Sequence, residues 1–153
     1  SHRRPLKDGI DYGFVGDVDK VNAEQLALLL RAGITPVMAP LTHDGQGHLL
    51  NTNADTIASE VAKALAQEFE VTLVYSFEHA GVLTDPNDEQ SVIPVITPSS
   101  FEQLKANGTV SGGMLPKLEN CLAAVKAGVS RVIITRADAI GTAQGTLIKG
   151  VME

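Results

Sequence analysis

Residues 49–65, LLNTNADTIASEVAKAL, combine a helical repeat of apolar residues with a polar helix start. Apolar residues recur at the helical period between Ile57 and Leu65, which predicts a helix with one face in the core. Asn51 and Asp55 are four residues apart, so a helix that began early would point both side chains the same way, near the positive end of its dipole. Capping of the helix start alone would also explain these polar residues.

A second stretch, residues 111–117 (SGGMLPK), has the features of a ligand-binding helix start. Its two glycines let the backbone approach a ligand, and Pro116 suits the first turn of a helix. Lys117 falls in the same turn, where a cation opposes the helix dipole and therefore favours a compensating anion. That anion is either a carboxylate of the protein, such as Asp55, or a bound phosphate.

Length and composition indicate an ordinary globular protein. The chain has 153 residues, of which 44% are hydrophobic, enough for one domain and too few for two full ones. A formal net charge of −6 argues against a nucleic-acid-binding surface. Cys121, the only cysteine, lies in an apolar helical pattern and is predicted to be buried. No apolar run approaches the roughly 20 residues that cross a membrane, and no signal peptide is recognisable, so we expect a cytoplasmic protein.

Strand-like and helix-like segments alternate along the chain, which predicts an α/β fold with a mostly parallel open sheet and helices on both faces. The opening nine residues are expected to be exposed, and residues 41–49 to form a hairpin. Further helices are predicted over residues 23–32, over 101–106 after a Ser99-Ser100 cap, and after Pro116. Strands are predicted at residues 34–39, 71–76, 93–96, 132–135 and 145–151, the last at a sheet edge, and a bent strand or hairpin at 11–21.

Isolated polar residues give weaker signals of function. His43 and His48 flank a turn, but a third ligand is missing nearby, so a metal site there is disfavoured. Walker, nucleophile-elbow and dinucleotide-binding motifs are missing. Glu78 follows the buried strand 71–76, at the strand end where open α/β sheets bind ligands. It is either a solvated carboxylate or part of a site.

Three segments together resemble the C-terminal part of the amino-acid kinase family: NTNAD (51–55), EHAGVL (78–83) and GGMLPK (112–117). The segments DGIDYGFVGDV and PVMAPLTHDGQG also match, so the resemblance covers most of the chain. It implies a carbamate kinase-like α/β fold. It also implies that residues 1–153 form one domain, the nucleotide-binding half, with the family's N-terminal substrate half absent.

The resemblance implies a reaction and roles for individual residues. The reaction is phosphorylation of the side-chain carboxylate of N-acetyl-glutamate, or another N-acyl-glutamate, by ATP with Mg²⁺, a step towards arginine. Asn51 would bind the amino-acid substrate, Asp55 would orient lysines around the phosphates, and Lys117 would stabilise the transferring phosphoryl group. The residues implied at the nucleotide site are Glu78, His79, Ala80, Gly81, Val82, Leu83, Thr109, Val110, Ser111, Gly112 and Gly113. No residue is implied as a metal ligand.

The chain departs from the family pattern in three places. Glu78 stands where the family usually has an aspartate, and residues 136–146 are shorter than usual and lack a typical histidine. The missing N-terminal half carries further phosphate- and substrate-binding groups, so we expect the chain alone to be inactive and to self-associate as a homo-oligomer. Two alternatives stay open. One is a non-catalytic module that binds a nucleotide or a partner chain, and the other is a family member that phosphorylates carbamate, aspartate, glutamate or uridylate.

Overall fold

The computed structural model describes residues 1–150 and shows two compact units. The first unit contains Ser1–Leu65 and the second contains Ala66–Glu153. Because each unit is compact by itself, the assignment of residues 1–153 to a single domain stays a prediction. The helices are α1 (Ala23–Arg31), α2 (Ala54–Leu65), α3 (Pro98–Ala106) and α4 (Met114–Lys126), with a 3-10 turn at Ala137–Ala139. The strands are β1 (His2–Arg3), β2 (Gly16–Asp17), β3 (Leu41–His43), β4 (Leu49–Asn51), β5 (Thr72–Phe77), β6 (Val95–Ile96), β7 (Arg131–Arg136) and β8 (Thr146–Ile148).

The first unit consists of two antiparallel ribbons and a pair of helices. β1 pairs with β2, β3 pairs with β4, and α1 packs against α2. The ribbons join where the Asn51 N–H donates to the Phe14 carbonyl oxygen over 2.8 Å. Gly16 suits this junction, because a Cβ there would lie only 2.7 Å from the Leu50 Cβ.

The predicted hairpin at residues 41–49 is confirmed, with β3 and β4 in antiparallel register. The Asp44 carboxylate closes its turn by accepting the Gln46 N–H over 2.7 Å and by pairing with His48 Nδ1 at 2.6 Å. These contacts lower the pKa of Asp44 to about 2, and the hydrogen bond from the Gln46 N–H is the largest cause. The turn is therefore held by a carboxylate that stays ionised well into the acidic range.

The predicted helix at residues 23–32 is confirmed as α1. The Asn22 side chain accepts the Gln25 N–H and so caps the helix start. Gly33 follows the helix with a φ of 75°, a left-handed conformation that glycine adopts at helix ends without steric cost. Local signals were sufficient here because the cap and the stop lie beside the helix in sequence.

The strand predicted over residues 34–39 is wrong for the described chain. This segment forms no strand, and Val37 is 96% exposed. Pro36 lies at its centre, and a proline cannot donate to a sheet ladder. The apolar run therefore suggested a strand, although Pro36 interrupts the series of N–H donors that a strand needs.

The N-terminal segment is more ordered than the sequence predicted. Its first residues are exposed as expected, yet β1 pairs with β2. The Arg3 guanidinium also bonds to the Asp11 carboxylate over 2.8 Å. Within residues 11–21 only Gly16–Asp17 is a strand, because its partner is the opening segment rather than another part of the same stretch.

Helix α2 begins at Ala54 and therefore does not include Asn51. Asn51 lies in β4, and the Asn53 side chain accepts the Thr56 N–H over 3.0 Å at the helix start. The expectation that helical spacing aligns Asn51 with Asp55 is therefore wrong. Asn51 pairs in the hairpin of β3 and β4, so the helix does not extend back to it. Asp55 does lie in the first turn of α2.

The second unit contains a four-stranded sheet in the order β5-β7-β8-β6. β5 pairs parallel with β7 and β6 pairs parallel with β8, whereas β7 and β8 are antiparallel. The predicted mostly parallel sheet is confirmed for this unit. The expected edge position of the last strand is wrong, because β8 lies between β7 and β6 and both Thr146 and Ile148 are fully buried. The end of that predicted strand, at residue 151, lies outside the described residues.

Helix α4 packs on the sheet through a stripe of small and apolar side chains. Leu118, Cys121 and Ala124 recur at helical spacing and are completely buried. The helix packs against β7 and β8, where Val132 and Ile134 are also completely buried. The predicted burial of Cys121 is confirmed.

Helix α3 begins at Pro98, earlier than predicted, and its cap differs from the predicted one. Thr97 accepts the Ser100 N–H over 3.3 Å, and the Thr97 N–H donates to the Ser100 hydroxyl over 2.9 Å. This reciprocal pair is a capping box. The Ser99-Ser100 cap is wrong because Pro98 fits the first helical position and moves the helix start forward.

Replacing Thr97 with alanine should lower the free energy of unfolding by about 1 kcal/mol, because the helix loses its capping acceptor. Ser99→Ala is the matched control, since the exposed Ser99 contacts the Thr97 hydroxyl from outside the capping box. Urea unfolding followed by circular dichroism measures both. Equal losses for the two variants would contradict the assignment of Thr97 as the cap.

Candidate functional site

A cleft of about 460 Å³ opens in the second unit at the C-terminal end of β5. Its walls come from the end of that strand, the loop after it, the loop after α3 and the first turn of α4. In open α/β sheets, ligands bind at the carboxyl ends of strands. The residues that line the cleft are Phe77, His79, Gly81, Val82, Leu83, Pro86, Thr109, Val110, Ser111, Gly113, Met114 and Lys117.

The cleft brings together Lys117 and most of the residues that the sequence assigned to a nucleotide site. Those that line it are His79, Gly81, Val82, Leu83, Thr109, Val110, Ser111 and Gly113. Glu78, Ala80 and Gly112 do not line it: Glu78 and Gly112 are exposed, and Ala80 borders a separate polar cavity beside Arg136. Their assignment to nucleotide binding stays a prediction.

Three lining residues were missed by the sequence analysis. Phe77 ends β5, and the alternation of that strand places it on the same side as the buried Tyr75, a signal that was available. Met114 opens α4 directly after the glycine pair, which was a second available signal. Pro86 lies in the loop after β5, and no local pattern in the sequence points to it.

Asn51 and Asp55 belong to the first unit. Asn51 is exposed at the end of β4, and Asp55 is half-buried in the first turn of α2. Their roles beside a substrate and phosphates stay predictions.

The first turn of α4 presents positive charge to the cleft. The Met114 and Leu115 N–H groups donate to the Ser111 and Gly112 carbonyl oxygens over 3.3 Å each, longer than the usual N–H···O distance of about 2.9–3.0 Å. Pro116 has no N–H, and the turn contains no acidic side chain. Such a helix start favours an anionic ligand.

The Lys117 ammonium reinforces that positive charge. Its Nζ lies 4.6 Å from the centroid of the Phe77 ring and 5.5 Å from that of Tyr75. Ring faces attract cations at these distances, so the two aromatic residues of β5 hold the ammonium beside the cleft.

Part of the cleft lining is an apolar wall. Val82, Leu83 and Val110 are at least nine-tenths buried. A cleft that has both an apolar wall and a positively charged helix start suits a ligand with a flat, weakly polar part and an anionic part.

His79 lines the rim of the cleft and pairs with a carboxylate. Its Nδ1 lies 2.6 Å from Glu89 Oε1, and its ring meets the Phe77 ring edge-on at 6.0 Å between centroids. The hydrogen bond from His79 is the main reason that the pKa of Glu89 lies below its ordinary value. The pair fixes the rim of the cleft to the loop around Glu89.

Residues 1–150 contain no group of three or more His, Cys, Asp or Glu side chains able to hold a metal ion. In the hairpin, His48 pairs with Asp44 at 2.6 Å, and His43 Nδ1 accepts the Gly45 N–H over 3.2 Å. None of the described helices has the length and apolar character to cross a membrane.

Replacing His79 with alanine should raise the pKa of Glu89 towards that of an ordinary carboxyl group, because the main stabilising contact of the carboxylate is lost. In the unmodified protein, the stabilisation from Glu89 is present above the carboxyl's unfolded pKa and is lost as the pH falls through the folded value. A carbon-detected NMR titration of side-chain carboxyls measures the change.

Asp138 is the internal control for this titration, because Arg136 rather than His79 lowers its pKa. An unchanged Glu89 titration in the variant, or equal shifts of both carboxyls, would contradict the pairing.

Comparison with known proteins gives consistent results. A model of the amino acid kinase family matches residues 3–136. The acetylglutamate kinase of Phocaeicola vulgatus is 65% identical over 149 residues, covering 97% of this chain and 58% of the relative. The chain thus spans little more than half the length of the curated relatives it matches.

Two solved structures show the same fold. N-acetylglutamate synthase from Neisseria gonorrhoeae, complexed with coenzyme A and L-arginine, superposes with a TM-score of 0.81 at 25% identity, over 97% of this chain and 35% of that one. Carbamate kinase from Giardia lamblia superposes with a TM-score of 0.61 at 18% identity, over 88% of this chain and 45% of that one. The predicted carbamate kinase-like α/β fold is therefore confirmed.

Proposed function

The chain belongs to the amino acid kinase family, and on that premise we propose that it supplies the ATP site of a kinase that phosphorylates the side-chain carboxylate of N-acetyl-glutamate. The observation that carries this proposal is the cleft, whose lining combines Lys117 and the start of α4 with an apolar wall. The likeness to an acetylglutamate kinase at 65% identity supports the choice of phosphoryl acceptor. The reaction would be a step of arginine biosynthesis.

ATP fits the two walls of the cleft. Its adenosine part would pack on the apolar wall of Val82, Leu83 and Val110, and its phosphates would lie towards the first turn of α4. The volume of about 460 Å³ falls within the range of about 300–1,000 Å³ for small-molecule sites. Mg²⁺ would arrive bound to the phosphates, since it keeps several waters and few protein ligands in nucleotide sites.

Phosphoryl transfer requires the protein to position the reactants and to neutralise charge. Lys117 would stabilise the transferring phosphoryl group with a point charge, which its aromatic neighbours hold in place. Asp55 would orient lysines around the phosphates, and Asn51 would bind the acylated amino acid.

We extend the proposal to the state of the protein in the cell, as a homo-oligomer in the cytoplasm. Large apolar side chains on the first unit support self-association, since Leu6, Phe14 and Val37 are all more than half exposed. Light scattering across a concentration series tests the oligomer.

A second candidate function is a non-catalytic binding module. The superposition on N-acetylglutamate synthase, with a TM-score of 0.81, covers only 35% of that chain, so this fold also occurs as one part of a protein with a different activity. Other acceptors used within the family, such as carbamate, aspartate, glutamate or uridylate, form a third group of candidates.

An acceptor panel separates these candidates. Because the chain alone is expected to be inactive, the panel uses the whole protein, with the family's N-terminal half restored. It is incubated with Mg-ATP and one acceptor at a time, and both ADP release and acyl phosphate, trapped as a hydroxamate, are measured. We expect both products with N-acetyl-glutamate, and N-succinyl-glutamate identifies the acyl group. Turnover with a different acceptor alone, or Mg-ADP binding without any turnover, would overturn the proposal in favour of one of the alternatives.

Replacing Lys117 with alanine should lower kcat by about 100-fold, the usual effect of removing one preorganised charge-stabilising group. Adenosine binding should hardly change, because the apolar wall is intact. Lys126→Ala is the matched control, since Lys126 is an exposed lysine in the last turn of the same helix. Comparable losses in both variants would show that the effect belongs to the helix and not to the cleft.

A further inference from the structure

We propose that Thr146, which does not line the cleft, is a positioning residue for the nucleotide. Its hydroxyl fixes the backbone around Val82 and Leu83, two of the three residues of the apolar wall. The inference rests on the proposed function for its ligand. Its structural part concerns only residues of the second unit.

The Thr146 hydroxyl makes two hydrogen bonds with the polypeptide beside the cleft. It accepts the Val82 N–H over 2.8 Å and donates to the Ile93 carbonyl oxygen over 2.7 Å. Thr146 is completely buried on the central strand β8. The acceptor role and the donor role are both used, so the orientation of the hydroxyl is determined.

The residues held in this way form a two-stranded arm, defined here as residues 81–84 and 91–93. Within the arm, the Ile93 N–H donates to the Val82 carbonyl oxygen over 2.8 Å, and the Thr84 N–H donates to the Ser91 carbonyl oxygen over 2.9 Å. The Thr146 hydroxyl bonds to both segments of the arm. It therefore ties the arm to the sheet and sets how far the wall projects into the cleft.

Gly81 shows how closely the arm approaches Thr146. A Cβ on Gly81 would lie 2.7 Å from Thr146 Oγ1 and 2.8 Å from Val92 Cγ1. Its φ is not in the left-handed region, so space rather than backbone conformation excludes a side chain. The arm can therefore approach the Thr146 hydroxyl this closely only because Gly81 has no side chain.

Loss of the hydroxyl should affect one part of the ligand more than the other. Thr146→Val keeps the shape of the side chain but leaves the buried Val82 N–H and the part-buried Ile93 carbonyl oxygen without this partner, so the arm should shift. The nucleoside would lose its contact with Val82 and Leu83, whereas the two hydrogen bonds of the hydroxyl do not involve the first turn of α4 or Lys117. A merely destabilising change would not separate these two effects.

The test compares Thr146→Val with Thr146→Ser in the whole protein. Calorimetry measures the binding of Mg-ADP and of magnesium pyrophosphate, which lacks a nucleoside. We expect Thr146→Val to weaken ADP binding about tenfold, the size of one lost hydrogen bond, with pyrophosphate binding unchanged. Thr146→Ser should retain ADP binding, and steady-state assays should show the Thr146→Val loss in the KM for ATP rather than in kcat.

Amide hydrogen exchange at Val82 is the readout that does not depend on the ligand. Exchange should be faster in Thr146→Val than in Thr146→Ser. If the unmodified protein bound no nucleotide, the proposed function would fail and the nucleotide role of Thr146 with it, while faster exchange would still establish that Thr146 holds the arm. Unchanged exchange and unchanged ADP binding in Thr146→Val would overturn the inference.

Gly81→Ala tests the same contact from the other side and serves if the valine variant does not fold. The added methyl group should push the arm away from Thr146 and weaken ADP binding while sparing pyrophosphate. Equal losses for ADP and pyrophosphate in a folded Gly81→Ala protein, or no loss for either, would contradict the inference.

Discussion

The packing of α4 on the sheet is the contact on which the cleft depends. Leu118, Cys121 and Ala124 are completely buried in that contact, so the helix has little freedom to slide or rotate. Its first turn is therefore held at the C-terminal end of β5, where the aromatic rings of Tyr75 and Phe77 meet the Lys117 ammonium. One apolar stripe thus determines where the positive charge of the cleft lies.

The two walls of the cleft are held by different kinds of interaction. The start of α4 opposes its own dipole with Lys117, at a cost of a few tenths of a kcal/mol, and cation–π contacts with β5 offset part of it. The apolar wall is held by hydrogen bonds that converge on Thr146. A ligand with a flat apolar part and a multiply charged part would meet both walls, and a nucleotide has this combination.

Helices and strands whose caps, stops or apolar patterns lie in the neighbouring sequence could be predicted. The place of a strand within a sheet depends on pairing with distant residues and could not be predicted. α1 has its cap and its stop beside it in sequence, and β5 is one continuous run rich in strand-forming residues. The central position of β8 depends on strands far away along the chain. Asn51 was misplaced because a helix start and a hairpin competed for it, and only the hairpin partner decides the outcome.

The residues of the candidate site also fall into two groups, those with a local sequence signal and those without one. Gly113 and Lys117 could be found from glycine, proline and charge at a helix start. The loop of residues 78–83 and the residues before α4 were assigned by resemblance to a family, since their spacing alone specifies no ligand. Thr146 gave no signal at all, because its function depends on a bond to Val82, 64 residues away in sequence.

The central claim is that the cleft between the arm and α4 holds the nucleotide. Amide chemical shifts recorded by NMR during a Mg-ADP titration test it most directly. We expect saturable shifts of the amides of residues 81–83 and 109–115, with smaller changes in the exposed turn at residues 44–47. Saturable binding whose shifts lie elsewhere, with those residues unmoved, would contradict it.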